Sequence, residues 1–249
     1  MPNNRVDEIA SDIIDAIRRV LEKHEVTFDE YRAGFNHLIK TQQAGEIPIL
    51  LDAFFNTTIC KIENARRKGS IGTLEGPYYL EDAPLVTDEI KSFDDDEGTP
   101  MILRGTVTDL AGKPVAHAVI DIWHSTPDGR YSGFHDNIPT EYYRGKVRSD
   151  ADGAYEVRSK VPVPYRIPDQ GPVGALFTAM GRHSWRPAHV HYKVLKEGFE
   201  TLTTQSYFEG DEWVASDCCE GVYADLVLAE KIENGARVMS LDFVLDPAT

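Results

Sequence analysis

Two histidines stand two residues apart in Arg186-Pro187-Ala188-His189-Val190-His191-Tyr192. In an extended strand, side chains at i and i+2 share a face, so both imidazoles can be presented to one point. That is a metal-ligand spacing. Imidazole suits zinc, copper, iron and nickel alike, so the pair leaves the ion open. Taken alone, a His-x-His strand is also compatible with a plain polar face, and further donors must decide. No HExxH, no CxxC and no suitably spaced carboxylate accompanies the pair, so the common zinc patterns and the two-histidine-one-carboxylate iron pattern lack partners. Tyrosine is the alternative donor type. Asp128-Gly129-Arg130-Tyr131-Ser132-Gly133-Phe134 and Val161-Pro162-Val163-Pro164-Tyr165-Arg166-Ile167-Pro168 each place a tyrosine in a loop stiffened by Gly or Pro.

At these residues the sequence resembles the intradiol ring-cleaving dioxygenases, whose non-haem iron(III) is held by two tyrosines and two histidines. The steps from Tyr131 to Tyr165, to His189 and to His191 are 34, 24 and 2 residues, and they agree with that family. The resemblance implies one Fe(III) per chain and no organic cofactor. Tyr131 and His189 would be equatorial ligands, Tyr165 and His191 axial ones, with solvent in the fifth position. A phenolate is a hard anionic donor that favours the ferric state. Although a free phenol has a pKa near ~10, a trivalent ion should deprotonate it at neutral pH.

A chelating catechol must shed two protons. Bound hydroxide can accept one, and Tyr165 can accept the other, which would make it both ligand and base. Dioxygen inserted between the two oxygen-bearing carbons then leads through an anhydride to a muconate. Arg186 would place a fixed positive charge beside the ring. Its alternative role is a structural ion pair. Gln205, 14 residues beyond His191, matches a family glutamine beside the metal that could orient hydroxide or a product oxygen.

The resemblance spans nearly the whole chain and is greatest to the chlorocatechol branch, in Ala118 to Thr126, Ser184 to His189, Phe208-Glu209-Gly210 and Cys218-Cys219. Substrate-pocket positions map to Ile49, Asp52, Ala53, Gly76, Tyr78 and Cys219. Ile49 replaces a leucine and Tyr78 a phenylalanine of some relatives, so the preferred ring position stays open. Ile49 and Ala53 could equally be plain core. Small or polarisable neighbours such as Ala53 and Cys219 would admit chlorine. Three other readings compete: a catechol or methylcatechol dioxygenase of the same mechanism, a non-catalytic β-sandwich binding module, and a zinc hydrolase whose carboxylate base cannot be placed.

With 249 residues, 41% hydrophobic and 10% aromatic, the chain can bury a sizeable core. Its formal charge of −15 argues against nucleic-acid and anionic-membrane partners. Cys60, Cys218 and Cys219 do not make a secreted disulfide framework, and vicinal Cys218-Cys219 is a poor bridge. Arg5, Asp7, Glu8, Asp12 and Asp15 interrupt the N-terminal apolar residues, so neither a signal peptide nor a membrane span is expected there. A cytoplasmic location follows as the expectation.

The elements that must position the site divide into three regions: helices in 1–68, a connector in 69–100 and a β-sandwich in 101–249, an α+β order. Val6, Ile9, Ile13, Ile14, Ile17, Val20 and Leu21 recur at helical spacing. Thr27-Phe28-Asp29-Glu30 has the form of a capping box, with Val26 and Tyr31 placed as a staple. A third helix starts near Ile47, with Pro48 in its first turn. By resemblance, this helical region forms a homodimer and can hold a phospholipid tail.

The run Asp94-Asp95-Asp96-Glu97 reads as a solvated loop. Beyond it, Ile102–Thr108, Val115–Trp123, Val157–Lys160, Val190–Leu195 and Val238–Leu245 have strand character, with Asp152-Gly153 as a tight hairpin. An antiparallel β-sandwich with long functional loops is expected. His24 and His37 fall in helices and His117 in a strand. His124, His135 and His183 flank the motifs without matching a ligand position.

Overall fold

Thr27 accepts a hydrogen bond from the Glu30 N–H through its side chain, and Glu30 Oε2 accepts one from the Thr27 N–H at 2.8 Å. This reciprocal cap separates two helices, α1 (Asn4–Lys23) and α2 (Phe28–Gln43). The computed structural model describes residues 4–94 and 97–248, so Asp95 and Asp96 of the acidic run lie outside the described residues. The chain divides into two compact units, one ending at Glu46 and one running from Ile47. In the first unit the apolar stripe Val6, Ile9, Ile13, Ile14, Ile17 and Val20 is exposed, as are Tyr31, Phe35 and Leu38 of α2.

The second unit begins with α3 (Ile47–Leu51), a π-helical turn over Asp52–Asn56 and α4 (Thr57–Asn64). Pro48 is tolerated here because first-turn N–H groups have no helical partner. The π turn widens the helix at Asp52 and Ala53, and Ala53 is buried. The connector then runs as irregular chain broken by short turns, and single bridges join Leu85 to Lys146 and Glu89 to Arg158.

One sheet contains β1 (Pro100–Asp109), β4 (Ala154–Lys160), β10 (Lys231–Glu233), β11 (Ala236–Ser240) and β12 (Phe243–Leu245). The other contains β2 (Val119–His124), β3 (Arg144–Arg148), β7 (His189–Leu195), β8 (Leu202–Phe208) and β9 (Val227–Leu228), in the order β3-β2-β7-β8-β9. A two-residue ladder joins β5 (Tyr165–Arg166) to β6 (Trp185–Arg186). Helix α5 (Pro172–Ala179) lies between β5 and β6 in sequence.

The α+β order agrees with expectation, but the sheets are mixed rather than antiparallel. β11 and β12 both run parallel to β1, and β9 runs parallel to β8. The expected single strand Val238–Leu245 is broken at Leu241-Asp242, where Leu241 N–H donates to Arg104 C=O and Asp242 Oδ1 accepts from Thr106 N–H. The chain thus steps past Gly105 while keeping its direction. Asp152-Gly153 does form a turn, with Gly153 at φ 77. The strands on either side, β3 and β4, pair into different sheets, so the turn is a corner rather than a hairpin. His117 also differs from expectation, sitting exposed at φ 58 in the turn before β2.

Alternation divides β7. Val190, Tyr192 and Val194 point between the sheets with Ile120 and Ile122 of β2 and with Met101, Leu103 and Val107 of β1. Tyr192 and Tyr155 both pack on the ring of Phe243, at 5.4 and 5.5 Å. His189 and His191 therefore occupy the opposite, outer face of the second sheet. That face is covered by a separate buried cluster that includes Ala53, Leu74, Tyr78, Trp123, Val173 and Phe177. In it Phe54 stacks on Phe177 of α5 at 5.0 Å.

Candidate metal centre and substrate pocket

The ladder between β7 and β8 sets Gln205 opposite His191 and Tyr207 opposite His189, while β2 sets Trp123 beside His191. Directly opposed residues share a face, so these side chains meet on the outer surface of the sheet. Trp123 stacks on His191 at 4.7 Å and 7° and fixes the plane of its ring. Arg186 is registered with Tyr165 across β5 and β6.

Tyr131 follows a tight turn in which Gly129 has φ 84, and a Cβ at Gly129 would lie 3.2 Å from Tyr165 Cβ. Only glycine suits that left-handed conformation and close approach, so Gly129 allows the two tyrosine loops to touch. Tyr131 N–H donates to His135 Nδ1 at 3.0 Å. Tyr78 stacks on the Tyr131 ring at 4.3 Å, and Arg144 ties both segments together by donating to Ser132 Oγ, Ser132 C=O and Tyr78 C=O.

Tyr131, Tyr165, His189 and His191 are all buried and converge. The two histidine Nε2 atoms are 3.0 Å apart, Tyr131 Oη is 3.5 Å from His189 Nε2, and the tyrosine rings are 5.3 Å apart. His189 Nδ1 lies 2.7 Å from Pro187 C=O. A carbonyl can only accept, so Nδ1 carries the hydrogen and Nε2 presents its lone pair. Burial, reinforced by Arg186, lowers the His189 pKa to about 3. Burial and then His189 hold His191 well below the usual imidazole range. Burial pushes both phenols above their ordinary range. Two neutral imidazoles meeting at Nε2, with two phenols that ionise only beside positive charge, form a donor set that a cation fits. His191 Nδ1, buried without a hydrogen-bond partner, completes no competing network.

Arg186 is buried and lies 3.2 Å from His189 Nε2 through Nη1. Its remaining nitrogens face Asp217, with Nε to Oδ1 and Nη2 to Oδ2 both at 3.1 Å. Nη2 also donates to Gln205 Oε1, which accepts from Tyr207 Oη as well, while Gln205 Nε2 donates to Leu74 C=O. Burial alone would raise the Asp217 carboxyl, but Arg186 and the Cys219 and Gly221 N–H groups outweigh it and hold the pKa below the ordinary value. Asp217, Cys218 and Cys219 also bring three metal-type donors within 4.8 Å of one another. With its carboxylate committed to Arg186 and the backbone, this trio is a clamp on the arginine rather than a ligand set.

Ile49, Asp52, Gly76, Tyr78 and Cys219 line one narrow cavity of ≈ 20 Å³ together with Tyr165 and Arg186. Ala53 lies outside its wall but is buried in the same apolar cluster. Gly76, at φ 72, places its backbone where a Cβ would be 3.4 Å from His191 Cε1. Burial raises the Asp52 carboxyl, against a hydrogen bond from Asn56. A cleft of ≈ 750 Å³ elsewhere holds none of the candidate ligands, so chemistry rather than size marks the site.

Sequence reasoning left Trp123, Arg144, Tyr207 and Asp217 without roles. Trp123 carried a signal, since it lies on a strand inside the quoted stretch Ala118 to Thr126. Asp217 carried none, because only folding brings it to Arg186. Of the other histidines, His124 bridges Ser125 C=O and Ser159 Oγ, and His183 accepts from Trp185 N–H.

Family models match both halves of the chain. The model described as "Catechol dioxygenase N terminus" matches residues 3–70, and that described as "Dioxygenase" matches residues 74–247. Chlorocatechol 1,2-dioxygenase from Pseudomonas sp. (strain P51) is 53% identical over 246 residues, covering 99% of this chain and 98% of the relative. The crystal structure of chlorocatechol 1,2-dioxygenase from Pseudomonas putida superimposes with a TM-score of 0.95 at 52% identity, covering 98% of this chain and 99% of that one. Catechol 1,2-dioxygenase 2 from Acinetobacter lwoffii is 35% identical over 224 residues, covering 86% of this chain and 81% of the relative. With matching models over most of its length and relatives this similar, the chain belongs to the intradiol dioxygenase family and is an enzyme of that family.

Proposed function

We propose that this enzyme uses iron(III) held by Tyr131, Tyr165, His189 and His191 to open chlorinated catechols between their hydroxyl-bearing carbons, giving chloro-cis,cis-muconates. The observation that carries the reading is the convergence of two phenols and two neutral imidazoles beside the buried Arg186. Bound there, iron(III) would acidify a chelating catechol and draw electron density from its ring, which makes the organic substrate reactive toward dioxygen. Tyr165 takes one catechol proton at Oη. Arg186 holds positive charge where negative charge develops on the ring. Gln205 acts by bracing Arg186, since its Oε1 and Nε2 are both engaged.

Cys219 offers a small, polarisable wall for a chlorine beside Asp52, Gly76, Tyr78 and Ile49, with Ala53 packed behind that wall. One methyl-sized difference in such a wall is worth only about 1–3 kcal/mol, so the preference is graded. The similarity to chlorocatechol 1,2-dioxygenases supports this choice over unsubstituted catechol. Residues 1–68 serve dimerisation, with a phospholipid held among the exposed stripes of α1 and α2, residues 69–100 act as connector and 101–249 carry catalysis. The protein functions in the cytoplasm with its three cysteines free.

The test is the visible spectrum and iron content of the purified protein, before and after adding 3- or 4-chlorocatechol without oxygen. A broad phenolate-to-iron(III) band that shifts on addition is expected, followed by higher specificity constants for chlorinated than for plain catechol. A colourless protein that stays inactive after iron reconstitution would refute the site.

A further inference from the structure

The Asp217 loop touches two parts of the site at once. Its carboxylate grips one edge of Arg186 through Nε and Nη2, both at 3.1 Å, and leaves Nη1 to face His189 Nε2. The same oxygens accept from Cys219 N–H at 3.2 Å and Gly221 N–H at 3.0 Å. Cys219 is a wall of the narrow cavity. The loop is tied down independently: Cys218 N–H donates to Trp185 C=O, Thr57 Oγ1 to Cys219 C=O, and Thr73 Oγ1 to Gly221 C=O. A Cβ at Gly221 would come within 3.2 Å of Arg186 Nη2 and 3.3 Å of Asp217 Oδ2, so the backbone closes directly over the ion pair.

A bidentate carboxylate gives a guanidinium one plane and one rotation, where a single contact would leave it free to swing. We propose that Asp217 is a positioning residue that aims Arg186 Nη1 at the reacting centre and, through Cys219 N–H, keeps the cavity wall in register with that charge. The proposal rests on the dioxygenase reading and deepens it: the residue sets both turnover and the discrimination of ring substituents without itself touching substrate.

The experiment is a double-mutant cycle of Asp217→Asn with Arg186→Met, read by kcat and KM for 3-chlorocatechol and by iron content. In addition, 15N-arginine spectra of the metal-free proteins follow hydrogen exchange at Arg186 Nε–H, assigned by its loss in Arg186→Met. Misplacing a catalytic group by about 1 Å can cost about 10²-fold, so Asp217→Asn is expected to lower kcat by roughly that factor while retaining iron. In the Arg186→Met background the same change should cost less than about twofold, because its effect has already been removed. Arg186 Nε–H should exchange at least about tenfold faster in Asp217→Asn, since the buried acceptor that protects it is weakened.

Asp217→Glu keeps the charge but moves the carboxylate by one methylene. It is expected to fold, bind iron, lose about tenfold in kcat and narrow the ratio of specificity constants between chlorinated and plain catechol. Full kcat in Asp217→Glu, equal losses in both backgrounds of the cycle, or unchanged Nε–H exchange would each overturn the proposal. Because the exchange measurement uses metal-free protein, it stands even if the iron reading fails, whereas a wild type without iron or turnover refutes that reading alone.

Discussion

The two faces of β7 carry opposite kinds of order. Inward, Val190, Tyr192 and Val194 join an apolar core between the sheets, where shape and volume are the main demands. Outward, one residue away in each case, His189 joins Arg186, Gln205, Tyr207 and Asp217 in a set of directed hydrogen bonds, and His191 is held beside them by its stack on Trp123. Apolar packing tolerates substitution of similar volume. Buried charge does not tolerate the loss of a partner, because the remaining ion has no water to turn to. A strand of seven residues therefore separates what keeps the protein folded from what lets it react.

That separation is most exposed to test at Tyr165. Tyr165→Phe is expected to lower kcat about 10²–10⁴-fold, the range of a lost proton-transfer group, while Tm stays within a few degrees. Parallel losses of turnover and stability would erase the distinction between the faces. The converse change is on the neighbouring strand, where Ile122 faces the core and Trp123 the site. Ile122→Ala should cost about 2–5 kcal/mol in urea unfolding, with kcat nearly unchanged; a comparable loss in kcat would mean that the core sets the site geometry.

Asp121 sharpens the comparison, because it is a charge buried on β2 without a role in the chemistry. Burial, opposed by Lys146 and by the Tyr79 hydroxyl, raises its pKa to about 6. A raised carboxyl pKa means that the folded state binds the proton more tightly than the unfolded chain. Its contribution to stability is full below about pH 4 and is lost as pH rises through about 6, a change on the order of 3 kcal/mol. The stability difference between wild type and Asp121→Asn should follow that window in urea titrations at pH 4, 5, 6 and 7. A difference independent of pH would remove Asp121 as its source.

The smallest effect concerns the cavity wall. Cys219→Leu should shift the ratio of specificity constants away from chlorinated and toward plain catechol by roughly 10–200-fold. Competition assays measure it, and an unchanged ratio would place the chlorine elsewhere.

Where the pattern is local, the fold was legible. The capping box at Thr27 and Glu30, the helical stripe of α1 and the alternation of β7 depend on neighbours within one turn or one pleat. β8 was harder to read because Thr203, Thr204, Gln205 and Ser206 look like a polar loop. Three of them are buried, in a strand whose neighbours supply the partners. The hairpin between β10 and β11 has a local signal in Asn234-Gly235, at φ 50 and 82. Helix α5 is short, largely apolar and announced mainly by Gly171-Pro172. Parallel pairing of β11 and β12 with β1 has no local signature, since it depends on where the chain re-enters the sheet.

Donor types, their spacing and the strand face that presents two imidazoles together are already written in the chain, because these follow from covalent distance and the period of an extended strand. Tertiary structure alone decided that Asp217 grips Arg186 from 31 positions away, that Trp123 stacks on His191, and that Asp52, Gly76 and Cys219 share one cavity. Those contacts join loops and strands far apart in the chain, and their strength comes from burial, where charge is weakly screened and each polar atom must find its partner within the protein.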